Sequence, residues 1–86
     1  MRLDKFLKVS RIIKRRTLAK EVADQGRILI NGIEGKASSN VKLGDELTIR
    51  LGRRIMTVRV ERLLDTTKKE EAAGMYEVLK EEQLSE

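Results

Sequence analysis

Residues 16–32 read RTLAKEVADQGRILING and contain a helical pattern, a helix stop and a hairpin turn in direct succession. The first half has the apolar spacing of one helical face, carried by Leu18, Ala19, Val22 and Ala23. This spacing predicts a helix from about Arg15 to Gln25, and Gly26 is placed to end it in the left-handed conformation. Asn31-Gly32 then separates two β-prone runs, which is typical of a two-residue type I′ turn. The stretch therefore predicts a helix that leads straight into an antiparallel hairpin.

The residues before this stretch predict another, shorter helix. Side chains suited to a buried face recur at i, i+3, i+4 and i+7, namely at Leu3, Phe6, Leu7 and Ser10. Asp4 lies in the first turn, where the helix dipole favours an acid. It stands four residues before Lys8, so we expect an ion pair between the two. The turn between the two helices then falls in RIIKRR, residues 11–16.

The residues after the first hairpin predict a second one. Two runs alternate apolar with polar residues, and their apolar members are Leu47, Ile49 and Leu51, then Met56, Val58 and Val60. This period of two is typical of half-buried strands. Gly44-Asp45 supplies a turn before the first run, and Gly52-Arg53 joins the two runs. The order of two helices followed by short antiparallel strands predicts a small α+β domain.

The composition changes at residue 65, and we predict an acidic C-terminal helical extension over residues 65–86, after a first domain over residues 1–64. Thr67 and Glu70 have the spacing of a capping box. An i, i+4, i+7 stripe follows, formed by Ala72, Tyr76 and Leu79. We expect this helix to pack on the strands through that stripe, in preference to forming a dedicated partner site.

Positive charge is concentrated at the N-terminus of the chain. The 86 residues carry 19 lysines and arginines against 14 acids, a net charge of +5, and the sequence pI is about 9.8. Residues 1–36 hold ten of these cations and four of the acids, whereas residues 65–86 hold three and seven. A basic balance of this size raises nucleic acid as a partner. The N-terminal third is the place where we expect a polyanion to bind.

The residue inventory argues against an enzyme. The chain has no His and no Cys, so it lacks an imidazole base, a thiol nucleophile and the usual transition-metal ligands. Ser38 and Ser39 near Lys36 are better explained as a polar loop than as a Ser-Lys pair. No phosphate-binding glycine loop is present, and we expect no cofactor and no metal. The absence of cysteine, of a signal-like apolar segment and of a membrane-spanning run favours a cytoplasmic protein.

The cations near the two helices form the candidate binding site. They are Arg2, Lys5 and Lys8 on the first helix, Arg11, Lys14, Arg15 and Arg16 at the turn, and Lys20 in the second helix. Arg15 and Arg16 oppose the dipole of the helix that they begin, and residues 11–16 offer no Ser, Thr, Asp or Asn as a cap. A phosphate at this corner would neutralise the arginines and accept hydrogen bonds from the free N–H groups.

The aromatic content helps to distinguish between modes of nucleic-acid binding. Phe6 and Tyr76 are the only aromatic residues, and both fall on predicted buried stripes, so a base-stacking platform is not expected. Glu21 and Asp24 on the second helix disfavour reading of a DNA major groove. Contacts to the backbone and shape of folded RNA fit best. Ordinary solvated cations, an acidic protein partner and a DNA-binding protein remain as alternatives; an anionic membrane is disfavoured because no amphipathic anchor is left over.

Three blocks of the sequence resemble the RNA-binding domain named after ribosomal small-subunit protein four, the S-four domain. They are RLDKFL at residues 2–7, RTLAKEVADQGRILING at 16–32 and VKLGDEL at 41–47. Stand-alone proteins with this domain include the heat-shock protein fifteen type, which binds free large ribosomal subunits carrying stalled chains. MRLDKFLKVSR, RRTLAKEVADQGRI and DTTKKEEAAGMY are more similar to a second group, the RqcP (YabO) type.

The resemblance to the RqcP type implies a non-enzymatic role in ribosome-associated quality control. Such proteins bind ribosomal RNA and hold peptidyl-tRNA on an obstructed large subunit, while an RqcH-type factor directs the addition of alanine tails. The resemblance also implies RNA contact by Arg2 and Arg16, with Asp4 beside Arg2 in the same motif. Many family members have Ser where this chain has Arg15, which leaves the start of the second helix open. A ribosome assembly chaperone is an alternative function, and a monomer is the simplest state.

Overall fold

A computed structural model describes residues 1–65 and 68–84, which form two N-terminal helices packed on one face of a five-stranded sheet, and a short third helix. The helices are α1 (Leu3–Val9), α2 (Arg16–Asp24) and α3 (Lys69–Ala72), and a 3₁₀ turn covers Ala73–Met75. The strands are β1 (Ile28–Ile30), β2 (Ile33–Glu34), β3 (Glu46–Leu51), β4 (Arg54–Val60) and β5 (Tyr76–Gln83). All neighbours are antiparallel in the order β2-β1-β3-β4-β5. The predicted α+β class is confirmed.

The two N-terminal helices have nearly the predicted bounds. Every member of the predicted α1 stripe is buried, including Ser10, whose hydroxyl donates to the carbonyl of Leu7 at 3.2 Å. On α2, Ala19, Val22 and Ala23 are buried, but Leu18 is 47% exposed, so its assignment to the inner face was wrong. The face of α2 that packs on the core is a narrow stripe of small residues, and Leu18 falls on its flank.

Both predicted hairpins are confirmed. Asn31 and Gly32 have φ values of 52° and 83°, as a type I′ turn requires, and Ile30 pairs with Ile33 across it. The Asn31 side chain also accepts a hydrogen bond from the Glu46 N–H at 2.9 Å, which ties the turn to β3. Gly26 has a φ of 76°, as expected of a left-handed helix cap.

The predicted long C-terminal helix was wrong. After the four residues of α3 and the 3₁₀ turn, the chain becomes β5, which pairs with β4 through Tyr76 opposite Val60 and Val78 opposite Val58. The open edge of β4 offers a row of backbone donors and acceptors, and these bonds outweigh a weak amphipathic pattern that is already interrupted by Gly74. Of the predicted stripe, Ala72 is buried, Tyr76 is half-buried and Leu79 is 40% exposed. The expected Thr67 cap lies outside the described residues, and the domain boundary at residue 64 stays a prediction.

The core lies between the helix pair and the inner face of the sheet. Its largest fully buried side chains are those of Phe6, Leu3, Leu7, Ile28, Leu47, Ile49 and Met75. Because α1 and α2 both reach this core, their exposed faces are held in a fixed relation on one side of the domain. Among the described residues, no helix has the length and apolar character needed to cross a membrane.

Candidate nucleic-acid interface

The loop at residues 37–41 fixes the start of α1. The Leu3 N–H donates to the Ser39 carbonyl at 2.8 Å, and the Asp4 N–H donates to the Ala37 carbonyl at 3.1 Å. Arg2 itself forms an isolated bridge with Asn40. The backbone on both sides of Arg2 is therefore held by the rest of the domain, and the first turn of α1 has a set position relative to α2.

Asp4, Arg2 and Arg16 form one hydrogen-bonded group between the two helices, which we call the Asp4 cluster. The Asp4 carboxylate accepts from Arg2 Nε at 3.1 Å and from Arg16 Nε at 3.4 Å, and a second nitrogen of each guanidinium lies within 3.5 Å. It also accepts from the Lys5 N–H at 2.8 Å. The expected pair between Asp4 and Lys8 was wrong, because the carboxylate points toward α2 and is buried, whereas Lys8 is exposed.

The Asp4 cluster keeps a positive charge that faces solvent. Burial by itself would raise the pKa of Asp4, but hydrogen bonds from Arg2 and Arg16, the charge of Arg16 and the Lys5 N–H together bring the pKa below its ordinary value. Asp4 is therefore ionised at neutral pH, and two guanidiniums share one carboxylate. The Arg2 and Arg16 side chains remain 52% and 49% exposed. Each guanidinium has five N–H donors, so both keep donors that an external anion can use.

The start of α2 adds backbone donors to this surface. Arg15 occupies the N-cap position, no side chain caps the helix, and its first turn contains no acid. The sequence argument about an unfavourable dipole is therefore confirmed for α2. Asp4 offsets part of that cost at Arg16, and an anion beside the free N–H groups would offset more.

Most of the remaining predicted site residues are exposed cations on α1, on α2 or in the turn between them. Lys20 follows Arg16 by one helical turn and is exposed, as are Lys8, Lys14 and Arg15. Arg11 is exposed in the turn between the helices and has a φ of 63°. Among the predicted residues, Arg2 and Arg16 both contact the Asp4 side chain.

Lys5 has an acidic partner that sequence reasoning missed. Its ammonium donates to Asp65 at 2.9 Å, and this hydrogen bond and the charge of Lys5 lower the pKa of Asp65. The Lys5 side chain is 34% exposed, whereas that of Asp65 is 88% exposed. The partners are 60 residues apart in the chain, so no local spacing rule could have paired them.

Comparison with known proteins identifies a family for this geometry. The family model described as the S4 domain matches residues 1–47. Over its full length, the chain is 74% identical to the whole of the RQC P-site tRNA stabilizing factor of Bacillus subtilis (strain 168). It is 38% identical over 78 residues to Heat shock protein 15 of Escherichia coli (strain K12), covering 90% of this chain and 59% of that protein.

A solved structure supports the same relationship. The trimeric structure of Vibrio cholerae Heat Shock Protein 15 matches with a TM-score of 0.84 at 33% identity, covering 91% of this chain and 80% of that one. The family model spans both helices that carry the Asp4 cluster. This chain belongs to the S4 domain family and, within it, to the family of the RQC P-site tRNA stabilizing factors.

Proposed function

We propose that this chain is a non-enzymatic RNA-binding factor of the large ribosomal subunit that acts in ribosome-associated quality control. In this proposal it binds ribosomal RNA and holds peptidyl-tRNA on obstructed subunits while an RqcH-type factor extends the stalled chain with alanine. It would act as a ribosome-associated monomer in the cytoplasm. The name of the B. subtilis relative, a P-site tRNA stabilizing factor, supports the tRNA part of this role.

The Asp4 cluster is the observation that carries the proposal. It presents two half-exposed guanidiniums in a fixed arrangement at the start of α2, a helix whose first turn has no capping side chain. Guanidinium groups bind phosphate through paired, charge-assisted hydrogen bonds. Because Asp4 already orders both side chains, less conformational entropy is lost when a phosphate binds. Lys8, Arg11, Lys14, Arg15 and Lys20 would add further phosphate contacts around this centre, and Lys5 would do so when Asp65 releases it.

Binding alone can produce the proposed effect on tRNA. A factor that contacts both ribosomal RNA and one position of the tRNA stabilises that position by its difference in affinity between the tRNA states. No bond needs to be made or broken by the factor itself. This mechanism requires that the RNA contacts survive while the RqcH-type partner acts.

Substitution of the two arginines tests the proposal. Arg2→Ala and Arg16→Ala should each reduce co-sedimentation with purified large ribosomal subunits by about tenfold or more, since a hydrogen-bonded charged group contributes about 1.5–3 kcal/mol. Lys42→Ala, which removes an exposed cation outside the predicted site, from the loop before β3, is the matched control. Denaturant unfolding should show that all three variants fold. Retained binding by both arginine variants would refute the proposal.

A role of the Heat shock protein 15 type, on free subunits carrying nascent chains, is the second candidate, and the structural match to that protein supports it. Purification of the protein from cells separates the candidates. Recovery of large subunits with peptidyl-tRNA and the RqcH-type factor favours the first. Recovery of subunits with nascent chains but without that factor favours the second, and recovery of assembly intermediates would point to a ribosome assembly chaperone.

A further inference from the structure

Two arginines outside the Asp4 cluster lie opposite each other where β1 begins and β3 ends. Ile28 pairs with Ile49, and the next register position brings Arg27 opposite Arg50. The Arg50 N–H donates to the Arg27 carbonyl at 3.0 Å, so the two residues are hydrogen-bonded neighbours. Both side chains are exposed.

Neither of these guanidiniums is neutralised within the protein. In the part of the chain that the structure describes, residues 1–65 and 68–84, neither side chain has a hydrogen bond or an ion pair. Like charges on directly opposed residues of a sheet destabilise the folded state. In the Asp4 cluster a buried carboxylate resolves the same problem, but Arg27 and Arg50 have no such group.

An open cleft of about 530 Å³ lies between these arginines, and we call it the sheet cleft. Its lining residues are Gln25, Gly26, Arg27, Arg50 and Gly52. Gly26 and Gly52 both have positive φ values, 76° and 59°. The space beside Gly52 is open, whereas the Glu34 carboxylate lies beside Gly26. An adjoining hollow over Leu29, Thr48 and Ile55 continues the opening onto the outer face of the sheet. The sheet cleft is thus accessible and positively charged.

The acid nearest to Gly26 is Glu34, whose Oε1 lies where a Cβ on that glycine would be, and within residues 1–65 and 68–84 it forms no ion pair with Arg27 or Arg50. Ile55 pairs with Arg50 on one side and with Glu82 on the other. The Glu82 carboxylate forms an ion pair with the Lys80 ammonium at 2.8 Å. Glu21 and Asp24 line a separate groove along α2, which shares only Gln25 with the sheet cleft. These two acids therefore separate the sheet cleft from the cations at the start of α2.

We propose that Arg27 and Arg50 form a second RNA contact, in which the paired guanidiniums bind a backbone phosphate in the sheet cleft. The inference rests on the proposed function, because it assigns a further contact to the same RNA partner. The nine residues of α2 separate the two sites by about 13 Å at 1.5 Å per residue. Different phosphates must therefore occupy them, and the RNA spans the length of α2. Phosphate fits better than an acidic side chain, because two neighbouring guanidiniums match a group with several charged oxygens.

The test compares Arg27→Gln/Arg50→Gln with Lys42→Gln/Arg62→Gln, which removes the same charge from exposed positions elsewhere. Binding to purified large ribosomal subunits is measured as a function of salt concentration. Because the two guanidiniums share one phosphate in this proposal, their loss should reduce the magnitude of the slope of log K against log salt by about 0.7–0.9, and affinity at physiological salt should fall about tenfold. The control variant should change the salt slope and the affinity much less. Denaturant unfolding of the free Arg27→Gln/Arg50→Gln protein should show equal or higher stability, because repulsion between the arginines is removed.

Three results would overturn the inference. The first is the same slope and affinity in the two double variants. The second is a loss of stability in Arg27→Gln/Arg50→Gln, which would make these arginines structural. The third is that Arg27→Gln/Arg50→Gln loses binding only to a partner that survives RNase treatment, which would assign the sheet cleft to an acidic protein. Arg16→Ala, measured in parallel, tests the proposed function separately: if it loses binding while Arg27→Gln/Arg50→Gln matches its control, only the second contact fails.

Discussion

Replacement of Asp4 by Asn distinguishes two explanations of RNA binding that predict opposite signs. The substitution preserves side-chain size and removes one negative charge, so the Asp4 cluster changes from a net charge of +1 to +2. If the total charge alone determined affinity, the variant would bind RNA more tightly. If Asp4 acts by holding Arg2 and Arg16 in place, the variant should bind more weakly, because both guanidiniums must then be ordered by the RNA itself.

The structure sets the scale of the effect on stability. The Asp4 carboxylate accepts from both arginines and from the Lys5 N–H, and Asn retains only one of its two oxygens. Hydrogen bonds to charged groups contribute about 1.5–3 kcal/mol when buried. The arginines are half-exposed, which reduces each contribution toward the 0–1 kcal/mol typical of surface pairs. We therefore expect a loss of about 1–2 kcal/mol, out of about 4–13 kcal/mol for a domain of this length.

The pH dependence of this loss has a defined sign. The folded state lowers the pKa of Asp4 below its ordinary value of 3.8, so ionised Asp4 stabilises the fold. This contribution is complete above the ordinary pKa and is lost as the pH falls through the lower, folded-state pKa. The difference in unfolding free energy between wild type and Asp4→Asn should therefore be constant above about pH 5 and should shrink in more acidic solution.

Urea unfolding and co-sedimentation with large ribosomal subunits measure the two effects on the same preparations. We expect Asp4→Asn to be folded, moderately destabilised and about three- to tenfold weaker in binding, which corresponds to about 0.7–1.4 kcal/mol. A folded variant that binds as tightly as wild type, or more tightly, would refute the positioning role of Asp4. The binding would then depend on charge alone.

Four further substitutions test other parts of the structure. Asp65→Asn makes the same change in charge as Asp4→Asn but releases Lys5. Co-sedimentation should therefore show tighter binding to large ribosomal subunits, and weaker binding would contradict this. Phe6→Ala removes a fully buried ring and should cost about 3–5 kcal/mol in urea unfolding; a smaller loss would mean that the core collapses around the gap. Gly26→Ala forces a left-handed backbone on a residue with a Cβ and should cost about 1–2 kcal/mol. Gly74→Ala, where a Cβ meets open space, should change stability little, and equal losses in the two glycine variants would contradict the argument.

The parts of the fold that sequence could predict depend on short-range signals. The α1 stripe, the Gly26 cap and the Asn31-Gly32 turn each involve residues within a few positions of one another, and the structure confirms all three. Such patterns fix the local conformation before tertiary contacts are considered. They also determined the α+β class, because two helices followed by hairpins leave few compact arrangements.

The errors arose where tertiary contacts decide the outcome. Residues 76–83 carry a helix-like spacing, but the free edge of β4 recruits them as β5. Leu18 satisfies the helical period of α2, yet the helix packs through smaller neighbours. In both cases the period of the apolar residues was compatible with more than one structure. The competing partner was distant in the chain, so the sequence pattern alone could not decide between them.

The sequence drew attention to the residues of the candidate site, but not to the contacts between them. The absence of a cap at the start of α2 drew attention to Arg16, and the resemblance to the S-four domain added Arg2 and Asp4. Which partner Asp4 would choose depends on how α1 meets α2, and spacing along α1 alone favoured Lys8 incorrectly. The pairing of Lys5 with Asp65 likewise depends on where the chain passes after β4.

The two arginine pairs differ in how their positive charges are accommodated when no RNA is bound. In the Asp4 cluster a buried acid holds the guanidiniums in place, so removal of Arg16 should weaken both the fold and RNA binding. In the sheet cleft no acid intervenes, so removal of Arg27 and Arg50 should weaken binding while the free protein becomes no less stable. The sign of the stability change therefore separates an ordered site from one whose repulsion is relieved only by a phosphate. If the arginines at both sites changed stability in the same direction, this distinction between the sites would be wrong.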